Sequence, residues 1–214
     1  MSSPKKYGKD VHYQLPLDES ATVSKEIIQR IQVLVGSILL YSSSLDSTFL
    51  VGLNTIAIQQ TSATENTLKR TEEVLYYAAT HPDKKIRHKA SDMILQIHRD
   101  ASYLSEPKAR SRAAGHYFLG CMPQKKQPIR LNGSVYTLCT VLKFIASSAA
   151  EEELGALLKN IKEGRVLRLT LAEIRHPHPP TPIHCDNATV VGMANENVKK
   201  HRYRPMENEI FLQL

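Results

Sequence analysis

Met93-Ile-Leu-Gln-Ile-His-Arg-Asp100 is the stretch on which the reading of this chain turns. Met93, Leu95 and Ile97 alternate with Ile94, Gln96, His98 and Asp100, the period of two that a half-buried β-strand requires. The pattern predicts a strand that delivers Asp100 at its end. After the basic loop Lys108 to Arg112, Gly115-His-Tyr-Phe-Leu-Gly120 reads as a second strand. Asn132-Gly133 sits between Ile129-Arg-Leu131 and Ser134-Val-Tyr-Thr-Leu138, and because both central residues tolerate positive φ the spacing predicts a hairpin there. Strand character persists through Val141, Leu142, Phe144 and Ile145, so three antiparallel strands are expected.

Further along, Ser147-Ser148 is placed to cap a helix running from Ala149 to about Ile161, and Val166 to Ile174 reads as another. His176-Pro-His-Pro-Pro-Thr-Pro182 is a stiff connector in which helix is excluded. Ile183-His-Cys-Asp186 is then a short strand, and Asn187 starts a helix carrying Val190, Val191, Met193 and Ala194. The expected class is mixed α/β: three antiparallel strands, one further strand and flanking helices.

Upstream the period lengthens. Ile27, Ile31, Leu34, Val35 and Ile38 form one helical stripe behind Ser24, and Phe49, Leu53, Ile56 and Ala57 repeat the spacing. Ser62-Ala-Thr-Glu65 has the form of a capping box, after which Leu68, Thr71, Leu75 and Ala78 line a third helix until His81-Pro82 stops it. The organisation expected is a polar arm over 1–19, a three-helix segment over 20–82, a basic linker over 83–91 and an α/β domain over 92–214. Tyr76-Tyr77 and Tyr117-Phe118 are read as core residues.

Composition bounds the function. The 214 residues carry 28 Lys and Arg against 21 Asp and Glu, a formal charge of +7, with 42% apolar and 23% charged residues. A core can be buried, and the basic balance suits a polyanionic partner because phosphates reward clustered cations through counterion release. No stretch reaches the ~18 to 20 apolar residues of a membrane span, so no membrane partner is expected. The positive amino terminus has no apolar stretch behind it, which points to an intracellular location, cytoplasmic or nuclear. Cys121, Cys139 and Cys185 are too widely spaced for a disulfide framework or a close zinc pair and read as reduced thiols. His176, His178, His184 and Cys185 lie close in sequence, but the prolines among them oppose the geometry zinc uses.

Acids fall where strands end or helices begin: Asp100, Glu151 to Glu153, Asp186, and Glu207 beyond the basic run Lys199-Lys200-His201-Arg202. Carboxylates that converge in a fold repel unless they hold a hard cation, and paired Mg²⁺ ions activate water for phosphodiester cleavage.

Four segments resemble the ribonuclease H domain of copia-type retrotransposon polyproteins: Asp100-Ala-Ser-Tyr103, Arg110-Ser-Arg-Ala-Ala-Gly-His-Tyr-Phe-Leu119, Ser147-Ser-Ala-Ala-Glu-Glu-Glu-Leu-Gly-Ala-Leu157 and His184-Cys-Asp-Asn-Ala-Thr-Val-Val-Gly-Met-Ala-Asn195. Leu50 to Gln60 and Tyr76-Tyr-Ala-Ala-Thr-His-Pro82 resemble the segment joining the reverse transcriptase thumb to that domain. The resemblance implies a ribonuclease H-like fold over 92–214 and Mg²⁺-dependent endonuclease action on the RNA strand of RNA–DNA hybrids, with Mn²⁺ as the alternative ion. Asp100, Glu153 and Asp186 would be the catalytic metal ligands. Glu207 would be the fourth, replacing the usual Asp, with a proline where a histidine is usual. The family's last helix continues past the position of Leu214, which implies a shortened domain. Lys108, Arg110, Arg112, Lys199, Lys200 and Arg202, with Lys125 and Lys126, are the expected phosphate contacts. No Asp-Asp pair occurs, so no polymerase activity is expected. The remainder of a reverse transcriptase polyprotein is an expected partner. The alternatives are a catalytically inactive remnant that retains the fold and binds nucleic acid, and a helical protein-interaction module.

Overall fold

A computed structural model describes residues 18–106, 109–123, 128–176 and 179–194. The protein is mixed α/β. Three helices precede a four-stranded sheet, and a long helix lies on one face of that sheet.

The helical part begins where the Ser24 hydroxyl accepts the Ile27 amide and starts α1 (Lys25–Ser44). A 3-10 turn at Ser47–Phe49, opened by the Asp46 carboxylate on the Thr48 amide, leads into α2 (Leu50–Gln59). α3 (Glu65–Thr80) is capped by Thr64 and Thr67, not by Ser62 and Glu65 as the spacing suggested; Ser62 is used up in the 3-10 turn that ends α2. His81 closes α3, since Pro82 bars continuation. The stripe on α1 buries Ile31 and Val35 against Ile56 and Ala63, with Ile27, Leu68 and Val74 at the margin. Asp18 ties the entry to this unit: it accepts from the Ser20 amide and hydroxyl and, at 2.5 Å, from the Thr64 hydroxyl. Those donors hold its carboxyl down to about 2.

β1 (Ile94–Glu106), β2 (Arg110–Gly120), β3 (Ser134–Val141) and β4 (Ile183–His184) stand in the order β3-β2-β1-β4. The first three are antiparallel neighbours; β4 runs parallel to β1, pairing Ile97 with Ile183 and His98 with His184. β1 runs past Asp100 to Glu106. An irregularity between Ser102 and Glu106, with Leu104 at φ 50°, carries it into β2. The Asn132-Gly133 hairpin does not form. The Asn132 side chain is engaged elsewhere, its Oδ1 accepting the Lys89 amide at 2.6 Å and its Nδ2 donating to the Lys89 and Leu119 carbonyls, and 129–131 form no strand.

α4 (Ala149–Glu173) is one helix where two were expected, followed by α5 (Ala188–Ala194). Its Ser148 cap is as anticipated, with the Glu151 carboxylate reaching back to Ser147. Two glycines let α4 lie close to the sheet. A Cβ on Gly164 would stand 2.6 Å from Ile97 Cδ1, and one on Gly115 would stand 2.0 Å from Asn160 Oδ1. Asn160, fully buried, accepts the Tyr117 hydroxyl at 2.8 Å and donates to the Ala114 and Ala156 carbonyls. Leu95, Ile97, Tyr117 and Leu138 form the core beneath the helix. No helix among the described residues is long and apolar enough to cross a membrane.

Candidate functional site: a buried arginine among acids

Period-two geometry divides β1 between two faces. Leu95 and Ile97 face α4, and so does Arg99, whose residue is 1% exposed. The Arg99 guanidinium donates to Glu153 Oε2 at 2.5 Å and to the Glu153 carbonyl at 3.1 Å, and it also contacts the Cys185 sulfur. Its Nε has no partner among the described residues. The first turns of α4, the loop after β4 and the middle of β1 therefore meet on a cation.

Glu153, Cys185 and Asp186 converge here, one ligand-type atom from each lying within 4.8 Å of the others. Asn187 donates its amide to the Cys185 sulfur at 3.2 Å and turns the chain into α5. Glu152, next to Glu153, is 1% exposed, and its Oε1 has no partner among the described residues. Burial, then the negative charge of Glu153, pushes its carboxyl up to about 7, with Arg99 and the Ser102 amide pulling the other way and Asp100 adding a smaller upward push.

Asp100 is exposed and takes the opposite register to Arg99, alongside Gln96 and His98. Its Oδ1 accepts the Ala101 amide at 2.8 Å, and it lines a cavity of about 970 Å³ between the sheet and the helical unit, opposite Thr55 and Arg70. Two of the three expected ligands thus come together, and the third is on the other face. Glu207 lies outside the described residues, as do Lys108, Lys125, Lys126, Lys199, Lys200 and Arg202.

Of the expected phosphate contacts, Arg110 is exposed at the start of β2, but Arg112 is buried. Its guanidinium pairs with Glu106 at 2.6 Å and reaches the Thr55 hydroxyl and the Cys139 sulfur, so it fastens the sheet to α2 instead of facing solvent. The histidines near Cys185 are committed elsewhere: His184 meets Gln96 Oε1 at 3.1 Å and His176 meets the Met93 carbonyl at 3.2 Å. His178 is outside the described residues. Tyr117 and Phe118 are core residues as read, whereas Tyr76 is 73% exposed. None of the three cysteines is in a disulfide.

Sequence reasoning missed Arg99 and named Glu152 only as one of the acids in the first turns of α4. The signal for Arg99 was present, since it continues the face of Leu95 and Ile97, and the same alternation assigns Asp100 to the face of Gln96 and His98.

This donor set does not fit Mg²⁺. A hard cation takes oxygen ligands, whereas here one carboxylate is already ion-paired, one of the three clustered atoms is a sulfur and a guanidinium supplies the positive charge. No protein-family model matches the chain, and neither a curated protein nor a solved structure does.

Proposed function

We propose that the chain is a ribonuclease H-like domain of the copia retroelement type, joined to a thumb- or connection-like helical unit, which binds nucleic acid without cutting it. Support for the domain reading is the sequence resemblance together with the order of elements: three antiparallel strands, a helix on one face, then a strand parallel to the first. The observation that carries the non-cutting conclusion is the Arg99–Glu153 pair. Releasing Glu153 for a metal strands a buried guanidinium, a cost of about 3 to 5 kcal/mol for broken buried pairs, and Asp100 would still face away.

The meeting of Glu153 with Asp186 from a separate element favours a second reading, a Mg²⁺-dependent hybrid endonuclease. Incubation with a labelled RNA–DNA hybrid and Mg²⁺ or Mn²⁺, beside Asp100→Asn, decides between them. Hybrid binding with intact RNA is the expected result. Cleavage that Asp100→Asn abolishes would overturn it in favour of the nuclease.

A further inference from the structure

The end of α3 and the run behind it form a surface the acidic site does not use. Tyr76 is 73% exposed at the end of α3, and one residue on, Tyr77 stacks against the exposed His81 ring at 4.3 Å with an interplanar angle of 23°. Lys84 Nζ sits over the Tyr77 ring at 5.6 Å from its centroid, and the Tyr77 side chain raises the Lys84 ammonium above its ordinary value. Lys85, Arg87 and Lys89 follow with His88 among them, every residue from His81 to Ala90 is exposed, and none of these lysines and arginine makes an ion pair among the described residues.

The run has no secondary structure of its own, yet both ends are tied. Lys84 holds the first to Tyr77, and Asn132 holds the second by bonding both the amide and the carbonyl of Lys89. Near the middle, Gly133 leaves room for the Arg87 carbonyl and the His88 ring, which a Cβ would meet at 2.7 Å. The cations are therefore displayed as a fixed strip beside aromatic faces.

Cations alone would suit any polyanion. Exposed rings beside them add something an acidic peptide does not exploit, because unstacked bases gain by lying on aromatic faces while their phosphates meet lysine and arginine. We propose that Tyr76, the Tyr77–His81 stack and the strip Lys84 to Lys89 form a binding surface for single-stranded nucleic acid. It deepens the proposed nucleic-acid binding, on which it rests, by assigning it to this strip and to single strands.

The test is fluorescence anisotropy of the whole chain with a labelled single-stranded oligonucleotide, an equal-length duplex and polyglutamate as competitor, across a salt series. The single strand should bind more tightly than the duplex. The triple substitution Lys85→Gln, Arg87→Gln, Lys89→Gln should reduce the log–log salt slope by about 2, at ~0.7 for each phosphate no longer neutralised. Tyr76→Ala or His81→Ala should weaken binding about tenfold with the slope unchanged. Equal affinity for the duplex, or equal competition by polyglutamate, overturns the assignment. Binding that survives these variants but falls with Arg110→Gln overturns the strip while keeping the proposed nucleic-acid function; no binding to any nucleic acid overturns both. All substituted residues are solvent-facing, and a thermal melt of each variant verifies folding.

Discussion

Arg99 and Glu153, 54 residues apart in sequence, share one buried ion pair, with the arginine side chain at 0% exposure and the glutamate at 13%. The pair ties β1 to the start of α4 and fixes what charge the site can hold. Glu153→Gln or Arg99→Met alone should cost about 3 to 5 kcal/mol, because each strands an uncompensated buried charge or its hydrogen-bonding partner. The double change Arg99→Met, Glu153→Leu should recover most of that loss. Urea unfolding of the three variants measures it.

Glu152 makes stability depend on pH. Its folded carboxyl is raised from 4.5 to about 7, so the folded state holds the proton more tightly than the unfolded chain. The resulting stabilisation is complete below about 4.5 and is lost as pH rises towards about 7. Across that window the loss is on the order of 3 kcal/mol. Glu152→Gln should flatten this part of the profile and be the more stable form at pH about 8, as read by unfolding midpoints across a pH series.

The contact between Gly115 and Asn160 should tolerate no added bulk. Gly115→Ala drives a methyl into the Asn160 amide and should cost about 1 to 3 kcal/mol. Asn160→Ala should cost a similar amount by removing the shorter of the two acceptors of the buried Tyr117 hydroxyl, which keeps only the Asn160 backbone carbonyl at 3.2 Å, and the donor to the Ala114 carbonyl. Thermal or urea unfolding checks both.

At the junction of the two parts, Thr55→Val removes the acceptor that Arg112 reaches at 3.1 Å. A destabilisation of about 0.5 to 1.5 kcal/mol is expected, together with faster amide exchange in α2 than in α4, read by hydrogen exchange.

Local signals carried much of the architecture. The α1 stripe with its Ser24 cap, the stop at His81-Pro82 and the strand at Ile94 to Asp100 all depend on near neighbours, and all are present in the structure, although Ile94 and Gln96 are buried along with Leu95 and Ile97. Where the sequence misled, a distant partner had intervened. Asn132 spends its amide on Lys89 and Leu119 instead of on a hairpin, and α4 runs on through Gly164, whose missing side chain lets the helix lie on Ile97. At the site, the acids were visible as residue types but not as neighbours. Whether Arg99 neutralises Glu153 is decided by α4 crossing β1, which no spacing within either segment encodes.

The grip of Asn132 on Lys89 also bears on how the protein ages. An asparagine followed by glycine is prone to spontaneous deamidation, since the small successor frees its backbone nitrogen to attack the side-chain amide carbon, expel the amide nitrogen as ammonia and form a succinimide that water opens to aspartate or isoaspartate. Here the amide nitrogen is held by two carbonyls, and the oxygen accepts from both Lys89 and Gly133. Cyclisation must break that clamp first, so the rate at which aspartate and isoaspartate accumulate at this position becomes a slow clock for how often the sheet lets go of the basic strip.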